Sequence, residues 1–170
     1  MRKIRYVVAM SLDGFIAGPH GEADWITLDP ESDSTALWVQ FDALLMGRRT
    51  YEAARQRLGD PAFSGITCIV FSRTMQPHPQ VTVVSALNPD WVQELRARSG
   101  KDIWLLGGSQ LFRSFLDAGL VDTVEVSVIP VLLGDGIPLL PPPCHPSKLR
   151  LLSHRAYRSG RLFLAYEVLH

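Results

Sequence analysis

The sequence predicts an α/β domain of three layers, with helices on both faces of a mostly parallel central sheet and an antiparallel hairpin near the C-terminal end. Two observations support this prediction. Short apolar runs of strand length alternate with segments of helical periodicity, which is typical of parallel sheets with crossover helices. Further along, two strand-like runs flank Ser159-Gly160, as in a β-hairpin.

The composition indicates one globular domain, and we expect it to span residues 1–170. Of the 170 residues, 46% are hydrophobic and 20% are charged, which are ordinary values for a folded domain. The 17 basic and 17 acidic residues balance, so nothing favours a nucleic-acid partner. No apolar run has the length of a membrane span. The two cysteines and five histidines have no metal-ligand spacing, so we expect no metal and a cytoplasmic location.

Each element follows from the local pattern of residues. The predicted strands before the hairpin are 4–10, 43–46, 66–71, 81–84, 102–106 and 123–129. The predicted helices are 32–42, 50–58, 88–98 and 109–118. Asn88 and Pro89 form a typical helix start, with an N-cap residue followed by proline in the first turn. Segment 133–147 is predicted to be a loop, and 149–157 and 161–169 form the hairpin.

The glycine pair Gly107-Gly108 follows a predicted strand and precedes a predicted helix. Glycine lets a ligand approach the backbone closely, and the free amides of a helix start bind phosphate well. The same residues also fit a tight turn with Ser109 as an ordinary N-cap. On its own, this motif leaves both interpretations open.

Two further strand ends carry basic and hydroxyl side chains. Gly47 is followed by Arg48, Arg49 and Thr50 at a helix start, where cations oppose the helix dipole unless an anion is bound. Ser72-Arg73 follows the next strand. A solvated helix start is the alternative for the arginines. Because the carboxyl ends of parallel strands share one edge of a sheet, the three junctions together predict a ligand site there.

Segment 11–18 has glycines on both sides of Phe15-Ile16, which suggests a loop that folds over a flat ligand. Asp13-Gly14 within it equally fits a plain turn. The chain has no G-x-G-x-x-G fingerprint, no Walker A motif and no G-x-S-x-G elbow. Standard Rossmann dehydrogenases, P-loop enzymes and serine hydrolases are therefore disfavoured.

Taken together, these segments resemble the dihydrofolate reductase superfamily, especially the C-terminal reductase domain of riboflavin-biosynthesis deaminase–reductases and its stand-alone relatives. The resemblance lies in SLDGFIA (11–17), MGRRTYE (46–52), LGGS (106–109) and PVLLGDG (130–136). It implies a dihydrofolate reductase-like fold, and a homodimer that pairs through 130–136.

The resemblance also implies that the protein binds NADPH and transfers hydride from it to a small-molecule substrate. The adenosine side and its 2′-phosphate would be held by Gly47, Arg48, Arg49, Thr50, Ser72 and Arg73. The pyrophosphate would be held by Gly107, Gly108, Ser109, Gln110 and Leu111. The nicotinamide would be lined by Ala9, Ile16 and Ala17.

The resemblance defines the substrate-binding and catalytic residues less well than the cofactor-binding residues. Folate reductases carry an acid on the first helix, and Glu31 and Asp33 are the catalytic candidates here, although an N-cap role for Asp33 is the alternative. Asp13 and Trp25 are the substrate candidates, and core packing is the alternative for Trp25. Leu106 stands where riboflavin-pathway reductases commonly have glutamate, so pterin-like and ribosylaminopyrimidine-like substrates both stay open. A protein of this fold that binds NADPH without turnover is the other hypothesis.

Overall fold

The structure is a computed structural model and describes residues 1–27, 29, 31, 34–59 and 63–170. Its strands are β1 (Ile4–Ser11), β2 (Phe15–Ala17), β3 (Phe41–Gly47), β4 (Thr67–Phe71), β5 (Thr82–Val84), β6 (Asp102–Gly107), β7 (Thr123–Ile129), β8 (Ile137–Pro138), β9 (Lys148–Ala156) and β10 (Leu162–Leu169). Its helices are α1 (Ser34–Trp38), α2 (Arg48–Leu58), α3 (Pro89–Ala97) and α4 (Ser109–Asp117).

Eight of these strands form one sheet in the order β5-β4-β3-β6-β1-β7-β10-β9. The first six strands in this order run parallel to one another. Strands β10 and β9 add an antiparallel hairpin beyond β7. Strands β2 and β8 pair separately. The α/β prediction, with a mostly parallel sheet and a terminal hairpin, is confirmed.

Two apolar clusters cover the two faces of the sheet, which gives the three layers. Successive side chains of a strand point to opposite faces, and on β3 Leu45 joins one cluster while Leu44 joins the other. Helices α3 and α4 pack on the first cluster, for example through Phe112. Helices α1 and α2 pack on the second, for example through Tyr51. Since both faces are covered, the central strands are almost continuously apolar.

The predicted helix 32–42 is wrong at its C-terminal end. Helix α1 ends at Trp38, and Phe41 begins β3. Phe41 is 4% exposed, pairs in register with Asp102 and packs its ring against Trp104. Strand pairing and burial therefore outweigh the helical spacing of the apolar residues. The predicted loop 133–147 also contains the short strand β8.

The amino-terminal ends of the strands are joined by ion pairs. Arg5 of β1 donates to both carboxylate oxygens of Glu125 on β7, at 2.7 and 2.8 Å. This hydrogen-bonded pair raises the pKa of Arg5. Arg96 donates to Asp122 at 2.7 Å. The other edge of the sheet is formed by the carboxyl ends of the parallel strands.

The carboxyl ends of the parallel strands lie together along this second edge. Gly47 pairs with Phe71, Met46 pairs with Gly107, and Ser11 pairs with Ile129. We call the row formed by the ends of β1, β3, β4, β6 and β7 the carboxyl edge. It brings the motifs that were singled out in the sequence into one region.

Candidate active site

The Gly107-Gly108 pair connects β6 to α4 in a conformation that requires glycine. Gly107 has a φ of +97°, and a Cβ there would lie 3.4 Å from the ring of Tyr6. Tyr6 in turn stacks on Phe112 of α4, with ring centroids 3.8 Å apart. The peptide between the two glycines is cis. The turn thus passes directly over a packed aromatic pair that fixes the start of α4.

The starts of α2 and α4 have no side-chain cap. Their N-cap residues are Gly47 and Gly108, and neither helix start receives a side-chain hydrogen bond. In contrast, Asn88 caps α3 by accepting from two backbone amides. Ser109 is not an N-cap, because it is a buried residue inside α4. The first amides of α2 and α4 therefore remain available to an anion.

A cavity of about 390 Å³ lies at the carboxyl edge beside these two helix starts, and we call it cavity A. Its lining residues are Gly47, Phe71, Ser72, Arg73, Ser85, Ala86, Leu87, Gln110, Leu111 and Ser114. Five of them were predicted as cofactor residues: Gly47, Ser72, Arg73, Gln110 and Leu111. Residues 85–87 were missed, although they follow the end of β5 and the same strand-end rule could have found them.

The arginines predicted to bind the cofactor differ in their side-chain partners. Arg48 donates to the Thr74 hydroxyl at 3.2 Å and lies 3.5 Å from a carboxylate oxygen of Glu52. Arg49 and Arg73 are exposed and have no side-chain partner within the part of the chain that the structure describes. Arg73 lines cavity A. It is therefore the guanidinium best placed to meet an anion in that cavity.

The remaining predicted cofactor residues are not part of the lining of cavity A. Thr50 lies beside the glycine pair, since a Cβ added to Gly108 would be 3.4 Å from its hydroxyl oxygen. Ala9 lies on β1, whereas Ile16 and Ala17 lie on the short strand β2. Their part in nicotinamide binding stays a prediction.

Asp13 holds two loops together. Its carboxylate accepts from the Ser11 hydroxyl at 2.6 Å and from the backbone amides of Leu133 and Gly134 at 3.0 and 2.7 Å. The Ser11 hydrogen bond is the largest of the causes that lower the pKa of Asp13 to about 2. The turn after β1 is thereby tied to segment 130–136. A role of Asp13 toward a substrate stays a prediction.

A second cavity, of about 250 Å³, lies between the end of β7 and the turn of the C-terminal hairpin, and we call it cavity B. Its lining residues are Trp25, Thr27, Asp29, Ile129, Pro130, Val131, Ser159 and Arg161. Trp25, predicted as a substrate residue, is among them. Its indole N–H donates to the carbonyl of Glu22 at 3.1 Å, which fixes the ring.

Asp29 is the acid that lines cavity B, and its side chain is 3% exposed. It accepts from the Ser159 hydroxyl and from the Glu31 amide, the latter at 2.8 Å. The Ser159 hydrogen bond is the largest of the causes that lower the pKa of Asp29. Asp29 is therefore ionised at neutral pH and accepts hydrogen bonds rather than supplying a proton.

The two predicted catalytic acids are placed differently. Glu31 lies at the surface, with a carboxylate oxygen 3.5 Å from Nε of Arg158. Asp33 lies outside the described residues. In the described ranges, no group of three histidine, cysteine or acidic side chains could hold a metal ion. No helix in those ranges is long and apolar enough to cross a membrane.

The sequence matches a known family. The model of the RibD C-terminal domain family matches residues 2–163. The chain belongs to the RibD C-terminal domain family. This membership, together with a fold like that of dihydrofolate reductase, supports a reductase of this kind.

Individual relatives agree with the family assignment. The Bacillus subtilis protein YyaP is 33% identical over 97% of this chain and 94% of its own length. A crystal structure from Shewanella sp. PV-4 has a TM-score of 0.85 at 26% identity and covers 100% of both chains. Enterococcus faecalis dihydrofolate reductase complexed with NADP(H) has a TM-score of 0.73 at 16% identity, over 99% of this chain and 97% of its own. The last comparison shows the shared fold.

Proposed function

We propose that this RibD-type domain is an NADPH-dependent reductase that transfers hydride to a small heterocyclic substrate, pterin-like or ribosylaminopyrimidine-like. The observation that carries the proposal is the pair of uncapped helix starts at Gly47 and Gly108 beside cavity A, with Arg73 in its lining. Free amides and an unpaired guanidinium at one edge are the groups that a phosphorylated dinucleotide requires.

The residues in and beside cavity A fit the two phosphate-bearing parts of such a cofactor, the pyrophosphate and the 2′-phosphate. The amides at the start of α4, after Gly107 and Gly108, would hold the pyrophosphate. Arg73, with Arg48 beside it, would meet the 2′-phosphate. The nicotinamide, when bound, supplies the hydride. The protein's own contribution is to hold the donor and the acceptor in one orientation and to exclude water between them.

The order of the strands suggests where the substrate would bind. Cavity A lies beside β3, β4 and α4, cavity B lies beside β7, and β1 runs between them in the sheet. A cofactor with its phosphates in cavity A would direct its other end toward β1, where the predicted nicotinamide residue Ala9 lies. The substrate would then lie on the β7 side, near Trp25.

The test of turnover is the oxidation of NADPH in the presence of candidate substrates. The absorbance at 340 nm would be followed with dihydropterins and with ribosylaminopyrimidines, because reduced nicotinamide absorbs there and its oxidised form does not. Consumption that depends on both the protein and the substrate supports the reductase. If NADPH binds but none of these compounds is reduced, the alternative applies, and the protein binds the cofactor without turnover.

One observation favours the alternative, in which the protein binds NADPH without turnover. Within the described part of the chain, the acid that lines cavity B is Asp29, and its low pKa prevents it from supplying a proton at neutral pH. A reductase would then take the proton from water or from Asp33. The turnover assay separates the two hypotheses.

We further propose that the protein acts as a single domain, as a homodimer and in the cytoplasm. Segment 130–136 is the proposed pairing surface, where Leu132 and the neighbouring Leu12 are 68% and 64% exposed. Both cysteines are free thiols, in keeping with a reducing compartment. Light scattering should give twice the chain mass for the native protein and the chain mass for Leu132→Asp. A monomeric native protein would contradict the dimer and leave the cofactor argument unchanged.

A further inference from the structure

The C-terminal hairpin ends the sheet with a strand whose residues are all exposed. Strand β9 pairs with β10 and stands at the end of the eight-stranded sheet. All nine of its residues are exposed, so this holds for both of its faces. Two of them, Leu149 and Leu151, are 44% and 49% exposed. Exposed leucines that lie two residues apart on one strand share a face, and such a face is a candidate interaction surface.

The register of the hairpin defines which residues share that face. Residues directly opposite each other in an antiparallel pair lie on the same face of the sheet. Leu149 is opposite Val168, and Leu151 is opposite Tyr166. Val168 belongs to the apolar cluster on which α3 and α4 pack, so the leucines lie on that side. We call this part of the hairpin the leucine face, and its members are Leu149, Leu151, His154, Ala156, Leu162, Leu164, Tyr166 and Val168.

The charged residues of the two hairpin strands all lie on the other face. Arg150 is opposite Glu167 and forms an ion pair with it. Lys148 is opposite Leu169, and Arg155 is opposite Phe163. The leucine face itself has no lysine, arginine or carboxylate side chain. Because an apolar sheet face is stable only when another element covers it, and permanent interfaces are rich in apolar groups and poor in charge, the leucine face has the composition of an interface.

The surface area of the chain is large enough to form such an interface. The whole chain exposes 9833 Å². A folded monomer of its mass, 18.9 kDa, exposes about 8,300 Å². The excess of about 1,500 Å² is larger than the roughly 800 Å² that each partner buries in an interface of standard size. The chain can therefore bury a full interface and keep the exposure typical of its size.

The partner that fits the leucine face is a second copy of the chain. We propose that the leucine faces of two copies pack against each other around a two-fold axis. An apolar face is complementary to itself, so this contact buries the same residues from both copies. A charged partner is recognised by side chains of the opposite charge, which the leucine face lacks.

The contact enlarges the proposed homodimer beyond segment 130–136, and the inference rests on that homodimer. The two surfaces are adjacent at the hairpin turn. A Cβ added to Gly160 would lie 3.4 Å from Cγ of Pro130. One continuous interface can therefore include the pairing segment and the hairpin.

The test introduces the same charge on the two faces of β9. Leu151→Asp places a carboxylate from each copy in the proposed contact, so sedimentation velocity should give the chain mass where the native protein gives twice that mass. Ser153→Asp is the matched control, because Ser153 lies on the same exposed strand and is opposite Ala165 on the other face. It should keep twice the chain mass. A dimeric Leu151→Asp overturns the proposal, and so does dissociation of both variants at the same concentration.

A second variant covers the case in which Leu151→Asp does not fold. Leu151→Thr keeps a residue type that favours strands and removes apolar area from both copies. The dissociation constant of the dimer should therefore rise about tenfold or more. The melting temperature of the dissociated chain should stay close to the native value. A native melting temperature with an unchanged dissociation constant contradicts the leucine face.

The two dimer proposals fail separately. If Leu132→Asp is monomeric and Leu151→Asp stays dimeric, segment 130–136 stands and the leucine face is overturned. The reverse result supports the leucine face and contradicts segment 130–136. A native chain that stays monomeric at every concentration overturns both, and it leaves the reductase, which the NADPH oxidation assay tests, unchanged.

Discussion

At the scale of single residues, the charge of Arg73 carries the cofactor argument, because this guanidinium lines cavity A without a side-chain partner in the described part of the chain. Arg73→Ala should weaken NADPH binding by about 10- to 100-fold, as expected for a lost charged contact of roughly 1.5–3 kcal/mol. NADH lacks the 2′-phosphate, so its dissociation constant should change little. Isothermal titration with both cofactors measures the difference.

Arg98→Ala is the matched control for this prediction. Arg98 is exposed and follows α3 just before β6 begins, at the opposite edge of the sheet. Both dissociation constants should stay at their native values.

Arg48→Ala should also weaken NADPH binding more than NADH binding. An equal loss for both cofactors in Arg73→Ala would mean that Arg73 does not contact the 2′-phosphate.

Gly107 is predicted to be required for both conformation and space. Gly107→Ala places a side chain at a φ of +97° and 3.4 Å from the Tyr6 ring, which should cost about 1–2 kcal/mol of stability for the backbone alone and also weaken NADPH binding. Gly65→Ala is the control, because Gly65 has a φ of +79° and open space around it. It should lose stability but keep native NADPH affinity. Native affinity in Gly107→Ala would contradict the role of this turn.

Asp13 should make stability depend on pH in the acid range. Its pKa in the folded protein is about 2, below its ordinary value of 3.8. The contribution of Asp13 to stability is therefore complete above about pH 4 and is lost as the pH falls toward 2. The melting temperature of Asp13→Asn should lie below that of the native chain at pH 6, and the gap should narrow as the pH approaches 2. Asp24→Asn, at an exposed turn, should show no such gap.

At the scale of elements, the ion pair between Arg5 and Glu125 joins the amino-terminal ends of the neighbouring strands β1 and β7, and both side chains are mostly buried, at 15% and 7% exposed. Glu125→Gln would remove the carboxylate that holds the guanidinium at two positions and leave Asp102, 3.4 Å from Nη1 of Arg5, as its counter-charge. The substitution should cost about 1.5–3 kcal/mol in urea unfolding, as for a lost charged hydrogen bond. Glu52→Gln, in the exposed pair with Arg48, should cost about 0.3–0.5 kcal/mol. Similar losses of unfolding free energy in the two variants would contradict the claim that burial makes the Arg5–Glu125 pair the stronger one.

The sequence allowed the elements of the carboxyl edge to be predicted because each is a local pattern. A glycine, or a polar or basic residue, directly after an apolar run marks a strand end, and Gly47, Ser72 and Gly107 were found in this way. Cavity B could not be predicted, because it joins Asp29 to Ser159 and Arg161, which are far apart in the chain. The pairing of β7 with β10 places the hairpin turn near the end of β7, and the hydrogen bond from Ser159 joins that turn to Asp29. Phe41 was misassigned for a similar reason, since its strand partner is Asp102.

At the scale of the whole molecule, the two ends of the parallel strands differ in what surrounds them. Ion pairs lie at the amino-terminal ends of the strands, where Arg5 joins β1 to β7 and Arg96 joins α3 to the start of β7. Glycine turns, uncapped helix starts and both cavities lie at the carboxyl edge. The strand order places β1 between the two cavities. A two-ligand reaction therefore has a natural arrangement here, with the phosphates of a dinucleotide in cavity A, its reactive end near β1 and a small ring in cavity B.

The most direct test of this account is the binding of NADPH and NADH to the native chain, measured in parallel by nicotinamide fluorescence. We predict micromolar binding of NADPH with a clear preference over NADH, because cavity A presents a free guanidinium for the additional phosphate. Equal affinity for the two cofactors, or binding of neither, would contradict the assignment of cavity A as a site for a phosphorylated dinucleotide.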